Sequence, residues 1–213
     1  MPPPLTPPCF TAGTRILTTQ GEKPVEQLSV GNLVIWPSGS SSKITWLGSM
    51  EIDLKTSPDR QHLSPIKIER NALKDGVPHR DLYLSADHCL FIDGVLIPVR
   101  LLVNDMSIVR ANNFDFVAYW HVELERHGIV LAEGAAAETF LPWGDNRSPF
   151  TRTSGEPGKG KSPLAAPIVM GGDVVDAVHR RLQLRAEASV FGKAQNPMGS
   201  KPFPAGIVYR NPS

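Results

Sequence analysis

Five side chains have the types and order needed for covalent chemistry on a peptide bond: Cys9, Ser85, His88, His121 and His127. Cys9 follows Pro7-Pro8, at the end of a run in which prolines deny the backbone amide donors and fix φ, so ordered structure is expected to begin at or just before it. A thiol at the first residue of a fold has the carbonyl of the preceding residue within reach. Attack of Cys9 Sγ on the Pro8 carbonyl would convert that peptide bond into a thioester. Ser85-Ala86-Asp87-His88 places a hydroxyl and an imidazole at the end of an apolar strand. Ser85 can hydrogen-bond a docked peptide group, and His88 can protonate an amide nitrogen as it leaves. His121 and His127 bracket the end of the next long apolar segment. The alternative for each is ordinary: a buried thiol acting as a small hydrophobe, and packed or surface serine and histidines.

A third arrangement is a tetrahedral metal site from Cys9, His88, His121 and His127. No CxxC or HxxxH spacing accompanies it, so no metal and no cofactor is expected. Phosphate-loop, GxSxG, HExxH and EF-hand patterns are absent. The chain has 22 Lys+Arg against 21 Asp+Glu, a net charge of +1, which excludes a nucleic-acid footprint and a polybasic membrane patch. Two cysteines make no disulfide framework. No apolar run approaches the length of a membrane span, and no signal-peptide pattern opens the chain, so a cytoplasmic location or export by a non-classical route is expected.

The elements that must position these groups read as short strands. With 20 Pro and 18 Gly, the composition favours strands and turns over long helices. Strands are expected over 14–18, 33–36, 43–48, 65–69, 81–85, 107–110, 116–124 and 129–132. Leu90-Phe91-Ile92 and Val95-Leu96-Ile97 flank Asp93-Gly94, the strongest hairpin signal in the chain. Pro24-Val25-Glu26-Gln27-Leu28-Ser29-Val30-Gly31 is echoed, with one residue gapped, by Pro98-Val99-Arg100-Leu101-Leu102-Val103-Asn104, which suggests a duplicated β-architecture. Beyond Leu141 the composition turns to Gly, Pro, Ser and charge. This divides the chain into a proline-rich flank (1–8), a β-domain (9–142), a linker (143–171), a helix (172–188) with Val174, Val175, Val178 and Leu182 on one stripe, and a Pro/Gly-rich tail (189–213).

Four blocks arrive in a telling order: Cys9-Phe10-Thr11-Ala12-Gly13-Thr14-Arg15-Ile16, Gly21-Glu22-Lys23-Pro24-Val25-Glu26-Gln27-Leu28, Leu82-Tyr83-Leu84-Ser85-Ala86-Asp87-His88, and His127-Gly128-Ile129-Val130-Leu131-Ala132-Glu133-Gly134. In this order residues 9–142 resemble the Hint (hedgehog/intein) self-processing domains, especially the bacterial Hint-type subfamily. The resemblance implies an all-β, compact, horseshoe-like fold with pseudo-two-fold symmetry, to which this chain adds a C-terminal tail with one helix. It implies that Cys9 is the nucleophile of an N-to-S acyl shift. Ser85 and His88 match the Thr-x-x-His block that holds the scissile amide and assists departure of its nitrogen. His127 matches the histidine of the later block, and His121 lies near the position where relatives carry an acidic residue.

The sequence departs from that pattern at both ends. Inteins close on a His-Asn pair whose asparagine cyclises. Here the equivalent stretch is Ala135-Ala136-Ala137-Glu138-Thr139-Phe140, without asparagine, so splicing is not expected. Cleavage at Pro8–Cys9 alone remains, with the chain's own N-terminal flank as substrate and water or a small nucleophile as acceptor. Proline ahead of the nucleophile crowds the carbonyl and slows the shift. The competing reading is a catalytically silent module of the same fold, serving binding or display.

Overall fold

The structure is a computed structural model that describes residues 7–142, 146–156 and 162–195, with side chains to 191. Fourteen strands and two helices follow one another: β1 (Phe10–Thr11), β2 (Arg15–Thr18), β3 (Gly21–Pro24), β4 (Leu33–Ile35), β5 (Ser41–Asp53), α1 (Arg60–Leu63), β6 (Ile66–Ile68), β7 (Leu82–Leu84), β8 (Cys89–Ile92), β9 (Val95–Pro98), β10 (Ile108–Arg110), β11 (Phe116–Leu124), β12 (Ile129–Ala132), β13 (Ala135–Glu138), β14 (Arg152–Gly155) and α2 (Asp173–Gln195). All strand pairs are antiparallel, and the sheet is not closed. The expected all-β class is therefore what the chain adopts, with one long C-terminal helix.

Strand order is β10-β6-β7-β1-β11-β5-β4-β2-β12-β13-β8-β9, with β3 on β2 and β14 on β5. β5 is the spine. Its first residues pair β4, while its remainder runs against the whole of β11. The two-residue β1 is wedged between β7 and β11, with Phe10 opposite Leu84 on one side and Trp120 on the other. That wedge brings the start of the domain to its middle.

The echo between 24–28 and 98–102 is realised as two like units. Each is a β-hairpin (β2–β3, β8–β9) that ends on a proline and runs into a 3₁₀ turn, Val25–Gln27 and Val99–Leu102. Pro24 and Pro98 hold nearly the same extended angles ahead of these turns, consistent with the fixed φ of the ring. Val25, Val99 and Leu102 drop into one apolar core with Phe10, Ile16, Ile66, Leu82, Leu90, Val122 and Val130. Asp93 and Gly94, both at positive φ, close β8–β9 as the sequence predicts.

Two elements differ from the sequence expectation. The stretch expected as linker contributes β14, which pairs with β5 from Arg152 opposite Ser49 to Gly155 opposite Trp46. The helix expected over 172–188 runs to Gln195. It buries Val175, Val178, Leu182 and Ala186 while Val174 faces outward, because a 3.6-residue period aligns 175, 178, 182 and 186 but rotates 174 off that stripe. Of the expected tail, 196–213 lie outside the described residues.

Candidate functional site

The site forms where strand ends meet. Cys9 immediately precedes β1, Ser85 immediately follows β7, His88 immediately precedes β8, His121 lies within β11, and His127 stands two residues before β12. Antiparallel pairing does the positioning. Phe10 opposite Leu84 puts Cys9 beside Ser85, and the β1–β11 register, continued by one residue, puts Cys9 across from His121.

Cys9 and Ser85 are bound to each other twice. The Cys9 N–H donates to Ser85 Oγ at 2.7 Å, and the Ser85 N–H donates to the Cys9 carbonyl at 3.0 Å. Ser85 Oγ–H donates in turn to the Pro7 carbonyl at 2.8 Å. One hydroxyl therefore bridges the chain on both sides of Pro8, pinning the amide nitrogen that must leave if Pro8–Cys9 is cleaved. The Cys9 thiol is buried with Trp46, Met50, Leu54, Val117, Tyr119, Phe140 and Phe150. Burial in that apolar company raises its pKa well above the ordinary thiol value.

His88 is fully buried and packs on Phe10, with ring centroids 4.4 Å apart. Its Nε2 lies 3.2 Å from the Glu138 carbonyl, while Nδ1 makes no hydrogen bond. Burial lowers its pKa, and the Glu138 charge, the Cys9 backbone and the Glu138 backbone oppose that shift. The Cys9 main chain therefore favours the charged ring without meeting it in hydrogen-bond geometry. The ring therefore lies beside the Cys9 main chain.

His121 is also fully buried, its ring centroid 5.4 Å from that of His88 and edge-on to Phe140 at 5.1 Å. Neither ring nitrogen has a hydrogen-bond partner. Burial first, then the neighbouring His88 and His127, hold it well below the ordinary histidine pKa. His127 is held from a distance in sequence. Its Nδ1 accepts from the Ala165 N–H at 3.0 Å, its backbone N–H donates to Ser162 Oγ at 2.7 Å, and its Nε2 faces Glu138 Oε2 at 3.7 Å.

Glu138 is the residue that sequence reasoning missed. It ends β13 and is almost wholly buried. Oε1 accepts the Cys89 N–H at 2.7 Å, Oε2 faces His127, and its backbone carbonyl meets His88. One residue thus ties both imidazoles of the two sequence blocks together. The sequence marked its stretch, 135–140, only by the lack of an asparagine. The β13–β8 register, Ala137 opposite Leu90, is what carries it to Cys89. Cys89 is buried too, and burial followed by the Glu138 charge pushes its thiol far up. Beside Pro7 and Pro8 an apolar cavity of about 410 Å³ opens, lined also by Glu138, Phe140 and Met170.

All five sequence-predicted residues thus lie around the start of β1 and the facing ends of β7, β8, β11 and β12. The alternative metal set does not assemble: among the described residues, Cys9, His88, His121 and His127 do not converge at ligand distance. Among the described residues no helix is long and apolar enough to cross a membrane.

Solved structures with a similar fold include the gp41-1 intein, at 17% identity over 62% of this chain and 98% of that one (TM-score 0.44). The MchDnaB-1 intein is 12% identical over 62% and 99% (TM-score 0.43). A bacterial intein-like domain from Clostridium thermocellum is 15% identical over 62% and 98% (TM-score 0.34). No curated protein matches. The family pattern described as Hint domain matches residues 8–144, and the chain belongs to that family.

Proposed function

We propose that this domain cleaves its own chain once, between Pro8 and Cys9, by an N-to-S acyl shift followed by thioester cleavage without splicing. The observation that carries this reading is the Ser85 hydroxyl, which accepts the Cys9 N–H at 2.7 Å and donates to the Pro7 carbonyl at 2.8 Å. A purely structural serine has no need to bracket that one peptide bond.

The residues suggest the sequence of steps. His121, neutral because burial depresses its pKa and opposite Cys9 in the strand pair, takes the thiol proton. Sγ attacks the Pro8 carbonyl carbon, forming a C–S bond in a five-membered tetrahedral intermediate. The proton collected by His121 passes to the neighbouring His88, and the C–N bond breaks as the Cys9 nitrogen takes it from the His88 imidazolium, leaving a Pro8 thioester, a free Cys9 amine and both imidazoles neutral. The thiol is pushed up and the base pushed down, so the first proton transfer is uphill. This suits a single slow turnover better than repeated catalysis. Glu138 acts on His88 through its charge and is a positioning residue. The cavity beside Pro7 and Pro8 offers water or a small nucleophile a route to the thioester. With no asparagine in 135–140, no C-terminal cleavage or ligation follows.

Intact-mass spectrometry of the full chain with and without hydroxylamine or dithiothreitol tests this. The expected result is loss of the mass of the first eight residues, abolished in Cys9→Ala. His88→Ala should slow it by about 10²–10⁴-fold, the usual contribution of a positioned acid. An intact mass after prolonged treatment would instead establish the silent module.

A further inference from the structure

At the turn end of the β12–β13 hairpin, away from His127 and Glu138, Glu22 of β3, His79 of the segment leading to β7, and Glu133 of the turn bring one ligand atom each within 4.8 Å of one another. Three observations set this group apart from an ordinary surface ion pair. The first is Glu133 Oε2. Glu133 is 3% exposed, its Oε1 accepts the Arg15 N–H at 2.8 Å, and its Oε2, aimed at His79, accepts no hydrogen bond. A buried carboxylate oxygen without a donor is costly. The nearby charges are His79 Nε2 at 3.4 Å and Arg80 Nε at 4.0 Å.

The second is spacing. His79 Nε2 lies 3.2 Å from Glu22 Oε1 and 3.4 Å from Glu133 Oε2. Ligands about 2.0–2.2 Å from a tetrahedral zinc ion are about 3.3–3.5 Å from each other. The third is the backbone. Glu133 and Gly134 close the β12–β13 hairpin at φ +48° and +81°. Asn, Asp or Gly is the usual first residue of such a turn, and a glutamate held in left-handed geometry marks a site worth its strain. Gly134 is needed for a second reason, since a Cβ there would stand 3.0 Å from His79 Nδ1. The fold fixes the glutamate further: its N–H donates to the Arg15 carbonyl and its carbonyl accepts the His79 N–H, both at 2.9 Å.

We propose that Glu22, His79 and Glu133 bind one divalent transition-metal ion. Two carboxylates and one imidazole suit zinc or manganese better than calcium or magnesium, which favour all-oxygen sets. Glu22 and His79 are partly exposed, so an ion can enter from solvent and keep a water in its fourth position. Two carboxylates against the single Arg80 cation leave the pocket negative. The ion joins β3, the β7 approach and the hairpin whose far end carries Glu138. It therefore ties together segments on which the processing residues depend, although the binding itself does not require that the domain cleaves.

The test is calorimetric titration of the chelator-stripped full chain with zinc chloride, with manganese and magnesium chlorides alongside. One equivalent of zinc should bind more tightly than magnesium, and zinc at 100 times its Kd should raise Tm by about 5–10 °C. Binding should weaken at least tenfold in His79→Ala and Glu22→Gln, and should be unchanged in Cys9→Ala. These two sites are partly exposed, so the variants keep the test valid if Glu133→Gln does not fold. Absence of saturable zinc binding, undiminished binding in His79→Ala, or its loss in Cys9→Ala would each overturn the assignment.

Discussion

Replacing His121 by phenylalanine separates the demands of stability from those of chemistry. The ring is 0% exposed, both nitrogens lack partners, and its neighbours are the Phe140 ring at 5.1 Å and the Phe10 ring at 6.1 Å. Phenylalanine matches the ring in shape and prefers the edge-to-face contacts already present. It also removes polar atoms whose unpaired burial costs about 1–3 kcal/mol, so His121→Phe should stabilise the fold by about that amount at neutral pH. The pH dependence gives an independent check. The folded pKa of His121 is depressed by burial, while an unfolded histidine titrates near 6.5. Below that value the unfolded chain binds a proton that the folded chain refuses, so stability falls as pH falls. Each pH unit over which the folded ring stays neutral costs about 1.4 kcal/mol, or about 2 kcal/mol between pH ~6.5 and ~5. Urea unfolding in a Cys9→Ala background at about pH 7.5 and about pH 5 measures both effects without interference from cleavage. The variant should be more stable at the higher pH, and its advantage should grow by about 2 kcal/mol at the lower. A variant that is less stable at both values, or a pH-independent gap, would refute the reasoning. If the imidazole is retained for processing, the stabilised protein with its thiol restored should cleave more slowly.

Glu138→Gln keeps an acceptor for the Cys89 N–H but removes the charge that raises the His88 pKa. The pH optimum of hydroxylamine cleavage should therefore move to lower pH, which mass-detected rates across a pH series would reveal. At Gly48, opposite His121 in the β5–β11 register, a Cβ would fall 2.2 Å from Trp46 and 2.9 Å from Phe150. Gly48→Ala should cost about 1–3 kcal/mol by overpacking, read by denaturant unfolding. Leu182, on the inner face of α2, is 1% exposed, and Leu182→Ala should cost about 2–5 kcal/mol. If α2 is an integral layer of the fold, that loss appears in the single main unfolding transition and not as a separate early one.

Much of the site is carried by local pattern, and a sequence displays local pattern directly. Cys9 stands just before the first strand because Pro7 and Pro8 have no amide hydrogen to give a sheet. Ser85 and His88 stand at a strand end because the apolar run 82–84 stops there, and the Asp93-Gly94 turn follows from two residues that tolerate positive φ. What the sequence could not determine is register, which depends on pairing between segments far apart in the chain. Only the β13–β8 pairing carries Glu138 to Cys89 and to both imidazoles. Only the fold brings Ala165 to His127 Nδ1 and makes a strand of 152–155, a polar and exposed stretch with no hydrophobic period of its own. The nature of His121 was settled the same way. Its residue type is plain in the sequence, but its neutrality comes from the aromatic and histidine rings packed around it, and burial is a property of the assembled core.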